Sequence, residues 1–102
     1  MANVLDKIIE DKKESLKNIK KNNSLDSLEN KIKFLNNFLS FKDAISNNKG
    51  VSLITEIKKA SPSAGELVKD FNHLNIAKMY LDNGATCLSV LTEEKHFLGK
   101  LD

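Results

Sequence analysis

The sequence predicts an α/β chain: a helical first half, then one strand–loop–helix–strand unit of the kind that builds parallel sheets. Three observations carry this. Apolar residues recur at helical spacing up to about residue 41. The texture then changes at a glycine to short runs rich in β-branched residues. Finally, an amphipathic segment with an asparagine before it and Asn83-Gly84 after it separates two such runs.

In the first half, Val4, Leu5, Ile8, Ile9, Leu16 and Ile19 predict a helix with Asn3 as its N-cap. The polar stretch 20–24 predicts a break. A second helix, capped by Ser24 or Ser27, is expected to carry Leu28, Ile32, Leu35 and Leu39 on one face, with Phe34, Phe38 and Phe41 widening it. That aromatic stripe reads as core or docking surface, or as a sticky patch if nothing covers it. Residues 46–50 are turn chemistry. Residues 51–58 read as a strand. Residues 59–71, with Pro62 and Gly65, read as a loop. Asn72 or Asn75 opens a third helix whose Ile76, Ala77, Tyr80 and Leu81 face inward, and Asn83-Gly84 stops it. Residues 85–91 are apolar enough for a strand buried on both faces, and 92–102 read as a loop. The expected division is a helical extension, residues 1–50, and a βαβ portion, residues 51–102. A single βαβ unit does not complete a parallel fold, so the chain reads as the opening of a larger domain.

Composition narrows the function classes. With 102 residues, 40% hydrophobic and 29% charged, the chain has the profile of a soluble globular protein. The net charge is +2, and all 16 basic residues are lysine. Near balance and the lack of arginine's bidentate fork argue against a nucleic-acid partner. No run approaches the roughly 20 apolar residues of a membrane span. The first seven residues lack a signal-peptide layout, so no membrane partner and a cytoplasmic location are expected. The single cysteine, Cys87, forms no internal disulfide and reads as a small buried hydrophobe. His73 and His96 fall in expected loops without a second ligand at metal spacing, so no metal site is expected. The pairs Lys12-Lys13 and Lys20-Lys21 read as a solvated helix face.

The chemistry gathers at the end of the first strand. Strand alternation puts Glu56 and Lys58 on one face. Opposite charges there are costly unless they meet each other or a ligand, and the carboxyl end of parallel strands is where α/β enzymes place their sites. A held lysine neutralises a carboxylate or acts as an acid. The serines and free amides that follow suit substrate oxygens. The plain alternative is an ion pair pointing into solvent, with Ser61 and Ser63 as ordinary loop composition.

Read as a string, ITEIKKASPSAG at 54–65 resembles the first-strand signature of indole-3-glycerol phosphate synthases. The segments DF at 70–71, IAKMY at 76–80 and NGATCLSVLTEEKHFLG at 83–99 resemble that family's first barrel helix, second strand and following loop. VLDKI at 4–8 and FKDAI at 41–45 resemble its opening and pre-barrel phrases. Val68 and Lys69 stand where the family often has a basic residue and proline.

The resemblance implies the N-terminal part of a (β/α)8 barrel, incomplete here and preceded by a helical extension; a whole barrel takes about 250 residues. It implies a lyase of tryptophan biosynthesis that turns 1-(2-carboxyphenylamino)-1-deoxyribulose 5-phosphate, a small phosphorylated substrate, into indole-3-glycerol phosphate without metal or organic cofactor. By position, Lys58 resembles the lysine that meets the substrate carboxylate and shares in acid catalysis, and Glu56 the glutamate that orients the reacting centre. Ser61, Pro62 and Ser63 resemble the loop that closes over substrate, and Phe97 the aromatic that packs on the anthranilate ring. The family's principal acid on the third strand, its base on the fourth and its phosphate loops after the seventh and eighth have no counterpart in these residues. The chain by itself is therefore expected to catalyse little or nothing. Two other readings are a non-enzymatic remnant or lysine-rich helical module that binds a membrane surface or nucleic acid, and a different phosphate-binding barrel such as a phosphoribosylanthranilate isomerase. The 54–65 string and the helical extension disfavour the isomerase. No oligomeric state is implied.

Overall fold

The computed structural model describes residues 3–102. Met1 and Ala2, which begin the stretch read against a signal peptide, lie outside the described residues. The chain forms two compact units, one ending at Leu39 and one spanning Ser40–Asp102.

The first unit is helical. Helix α1, Val4–Asn22, starts at a capping box: the Asn3 side chain accepts from the Asp6 N–H at 2.9 Å, and the Asp6 carboxylate accepts from the Asn3 N–H at 3.3 Å. It runs through Lys20 and Lys21, which were expected in a break. Their charges sit in the last turn and complement the exposed carbonyls there. Asn23 then donates from its backbone and side chain to the Ile19 carbonyl and ends the helix. Helix α2, Leu25–Ile32, is capped by Ser24. It stops seven residues short of Leu39, the last position of the expected apolar face. Phe34 and Leu35 donate to the carbonyls of Lys31 and Ile32, a tightened last turn, and Asn36-Asn37 follow, whose side chains compete with helical backbone bonding. Phe34, Phe38 and Leu39 are exposed.

The second unit opens with α3, Phe41–Ser46, capped by Ser40. A tight link follows: Asn48 donates to the Val51 carbonyl and the Ser52 hydroxyl, and Gly50 takes a φ of 115° that side chains rarely adopt. Strand β1, Ile54–Ile57, pairs in parallel with β4, Cys87–Val90, in the register Ile54 to Cys87 through Ile57 to Val90. Thr86 pins the start of this ladder. Its hydroxyl accepts from the Leu53 N–H at 3.0 Å, while its own N–H donates to the Leu53 carbonyl at 2.9 Å. The Leu91 N–H closes the far end on the Ile57 carbonyl.

Between the strands runs helix α4, His73–Asp82, capped by Asn72. His73 is thus the first helical residue and not part of a loop. Gly84, at φ 92°, ends the helix, and the Ala85 N–H reaches back to the Tyr80 carbonyl. Helix α4 contacts β1. Ile76, Ala77 and Tyr80 are half-buried, as an inward face requires, but Leu81 is 70% exposed. The stretch expected as plain loop, 59–71, contains a short antiparallel hairpin of β2, Ala60–Ser61, and β3, Gly65–Glu66, which the Leu67 N–H closes on the Lys59 carbonyl.

The core is small. Ile57 and Ala60 at 3% exposure and Cys87 at 8% are the buried apolar residues among those described. Strand β4 was expected to be buried on both faces, yet Leu88 and Val90 are exposed, as is Ile54 on β1. The two strands form no closed barrel.

Because Thr86 supplies the side-chain bond to the exposed Leu53 N–H, Thr86→Val removes that bond and leaves the donor to water. It is expected to destabilise the second unit by about 1 kcal/mol. Urea unfolding monitored through Tyr80 fluorescence checks this, and an unchanged midpoint would contradict the assigned role.

Candidate active site

Parallel strands bring their carboxyl ends to one edge. After β1 come Lys58 and the hairpin; after β4 comes the loop 91–99. Glu56 lies in β1 itself, and the other candidates from the sequence lie on one of these two segments.

Glu56 and Lys58 meet. Lys58 Nζ stands 3.1 Å from Glu56 Oε1, with the lysine side chain 34% exposed and the glutamate 49%. At that exposure the pair contributes only about 0–1 kcal/mol to stability. Its consequence is positional: each charge restricts the other's rotamers and holds the ammonium at the strand end. The backbone beneath is held from the other direction, because the Tyr80 hydroxyl donates to the Glu56 carbonyl at 2.8 Å, tying α4 to β1 beside the charged pair.

The hairpin orders the two serines. Ser61 Oγ accepts from the Ala64 N–H at 3.2 Å and lies 3.4 Å from Ser63 Oγ. Pro62 and Ser63 are exposed at the turn. Ser61 and Ser63 thus come together with each other.

Phe97 sits in a loop organised by a residue the sequence reading passed over. The Glu93 carboxylate accepts from three backbone donors, Lys95 N–H at 3.0 Å, His96 N–H at 2.7 Å and Phe97 N–H at 3.0 Å. The Gly99 N–H donates to the Glu93 carbonyl at 2.8 Å. Leu98 takes a left-handed φ of 54° to permit that return. Gly99 lies so close to the backbone of Leu91 and Thr92 that a Cβ there would fall 2.1 Å from the Leu91 oxygen. Phe97 and His96 are half-buried. Burial pushes the Glu93 carboxyl up, but the amides of His96, Phe97 and Lys95, with the His96 imidazole beside them, outweigh it and hold the group below the ordinary value of 4.5. The available signal was an acid two to four residues ahead of consecutive amides with a glycine to close the loop. Tyr80 was read as an inward residue, but its hydroxyl bond was not foreseen.

One open cavity of about 630 Å³ lies past the end of β4, where Lys59, His73, Thr92, Leu98 and Lys100 contribute to its wall. Its lining includes none of Glu56, Lys58, Ser61, Ser63 or Phe97. The reason is geometric: the Glu56–Lys58 face has one neighbouring strand and so lacks an opposite wall. Among the described residues, no three His, Cys, Asp or Glu side chains cluster as a metal ion would need, and no helix is long and apolar enough to cross a membrane.

A sequence-family model described as indole-3-glycerol phosphate synthase matches residues 5–102. Curated relatives carry the same name. The protein of Desulforamulus reducens is 45% identical over 98 residues, covering 96% of this chain and 37% of that one. That of Clostridium acetobutylicum is 44% identical over 98 residues, covering 95% and 37%. That of Legionella pneumophila is 42% identical over 102 residues, covering 100% and 39%. The chain thus spans 37–39% of the length of these relatives.

The lowered Glu93 carboxyl has a signed consequence. A group depressed on folding stabilises the fold fully above its unfolded value, and that contribution disappears as pH falls through the folded value. The amide proton shifts of His96 and Phe97 are therefore expected to move together in an acid titration followed by NMR, with a midpoint below 4.5. A midpoint at or above that value would contradict the bracket geometry.

Proposed function

The chain belongs to the indole-3-glycerol phosphate synthase family, and from that membership we propose that it provides the first two barrel strands of that lyase and the site residues they carry. The substrate is 1-(2-carboxyphenylamino)-1-deoxyribulose 5-phosphate. The reaction forms the indole ring by carbon–carbon bond closure, releases carbon dioxide and then releases water. In this reading residues 1–50 are a helical extension and residues 51–102 the opening βαβ portion of the barrel. The partner is a small phosphorylated molecule, with no nucleic acid, membrane or cofactor, and the location is cytoplasmic.

The observation that carries the proposal is the Glu56–Lys58 contact of 3.1 Å at the carboxyl end of β1. A lysine held there by a neighbouring carboxylate offers its ammonium to the anthranilate carboxylate, the group that leaves as carbon dioxide. It neutralises that charge as the ring carbon attacks the ribulose carbonyl, and its N–H protons are available to the developing alkoxide. Glu56 orients the ammonium. Ser61 and Ser63, with Pro62 fixing the turn between them, close over substrate oxygens, and Phe97 packs on the anthranilate ring.

The family's principal acid, its base and its phosphate loops belong to later barrel strands than the parallel pair β1 and β4. The 102 residues alone are accordingly proposed to turn over little substrate, and turnover near that of a relative-length protein would overturn this. In a protein of the relatives' length carrying these residues, Lys58→Met is expected to lower kcat by about 100-fold, the scale for removing one preorganised charge from a transition state. Steady-state kinetics on that substrate, with the stability of the variant checked in parallel, decides it. A kcat within a few fold of the parent would remove Lys58 from the proposed chemistry.

A further inference from the structure

We propose that Glu93 is a positioning residue for the aromatic contact: its carboxylate fixes the loop after β4 so that Phe97 is presented, already ordered, to the substrate's ring. This rests on the reading of Phe97 given above and extends it to a residue that touches no substrate.

A loop of this length has few ways to hold an aromatic side chain still. Residues 92–99 contain no helix or strand, so their amides lack the partners that regular structure supplies. Glu93 supplies them. Three successive N–H groups converge on its two oxygens at 2.7–3.0 Å. Phe97 carries one of those N–H groups, so its backbone is bonded to the carboxylate directly. Charge-assisted bonds of this kind are roughly twice as strong as neutral ones. The same residue's carbonyl takes the Gly99 N–H, so Glu93 secures the loop on both sides of Phe97.

Two further features support this arrangement. Leu98 accepts a left-handed backbone, and position 99 has no room for a Cβ. Both fold the chain back onto Glu93: Leu98 is exposed, so burial does not account for its conformation, and Gly99 is where the returning chain meets the backbone of Leu91 and Thr92. The loop leaves β4 at Leu91, whose N–H is bonded to Ile57, the residue before Lys58. Order imposed on Phe97 is therefore referenced to the strand that carries Glu56 and Lys58.

A preordered contact of this kind acts on binding: a mobile loop must lose its freedom when substrate arrives, whereas an ordered one has already lost it. The effect belongs in KM more than in kcat. The test uses the whole protein expressed from the reading frame that contains these residues, with 1-(2-carboxyphenylamino)-1-deoxyribulose 5-phosphate as the probe. Five forms are compared: parent, Glu93→Gln, Glu93→Asp, Phe97→Ala and the double variant of Glu93→Gln with Phe97→Ala. Glu93→Gln keeps the shape but turns a donor toward an amide, and it guards against a Glu93→Ala protein that fails to fold. Glu93→Gln and Phe97→Ala are each expected to raise KM by about 10-fold with kcat changed less, and the double variant to be no worse than Phe97→Ala alone. Glu93→Asp is expected to recover part of the loss. If the double variant loses the product of the two single effects, Glu93 acts independently of Phe97 and the inference fails while the role of Phe97 stands. If Phe97→Ala leaves KM unchanged, the reading of Phe97 fails first and the inference falls with it.

Discussion

The parallel pairing of β1 with β4 is the constraint on which the second unit depends. It is a ladder of four residue pairs with Leu53 and Thr86 locked together at its start. Parallel strands cannot be joined by a tight turn, so the intervening chain has to cross over, and α4 makes that crossing. The ladder also decides where the candidate site lies. Both strands run out at the same edge, so the segment after β1 and the segment after β4 become neighbours although more than thirty residues separate them in sequence. Slipping the register by one residue would reverse the faces, sending Glu56 toward the covered face and Ile57 away from it.

Stability and function are divided unevenly across this edge. Burial is concentrated in Ile57, Ala60 and Cys87, while the exposed Glu56–Lys58 pair adds little energy. Order at the candidate site instead comes from side-chain hydrogen bonds to the backbone. The Tyr80 hydroxyl fixes the backbone at Glu56 from α4, and the Glu93 carboxylate gathers the amides before and at Phe97. Both residues order their neighbours at the candidate site through the backbone.

The exposed apolar side chains follow from the same geometry. A sheet of two strands presents more surface than the two helices that contact it, α3 and α4, cover, so Ile54, Leu88 and Val90 remain exposed. In a (β/α)8 architecture such positions receive their neighbours from further strands and helices. This is why the apolar character of residues 85–91 predicted a strand correctly but overstated its burial. Composition records the environment for which a strand is suited, and accessibility records the atoms that surround it.

Much of the architecture was legible along the chain because it rests on local chemistry. Asn3, Ser24 and Asn72 cap helices since a short polar side chain beside a free amide suffices, and Asn83-Gly84 stops one since glycine enters the left-handed region freely. The meeting of Glu56 with Lys58 was legible too, because alternation along a strand is a property of the backbone. What the sequence left open needed the third dimension. The end of α2 at Ile32, the hairpin within 59–71 and the exposure of Leu81 depend on competition between local preference and packing. The tie from Tyr80 to Glu56 and the gathering of three amides by Glu93 depend on where the folded backbone sets its donors. Residue type and spacing determine which groups are able to bond; only the tertiary arrangement of β1, α4 and β4 decides which of them meet, because hydrogen bonds are made at about 3 Å and require alignment that spacing along a chain does not specify.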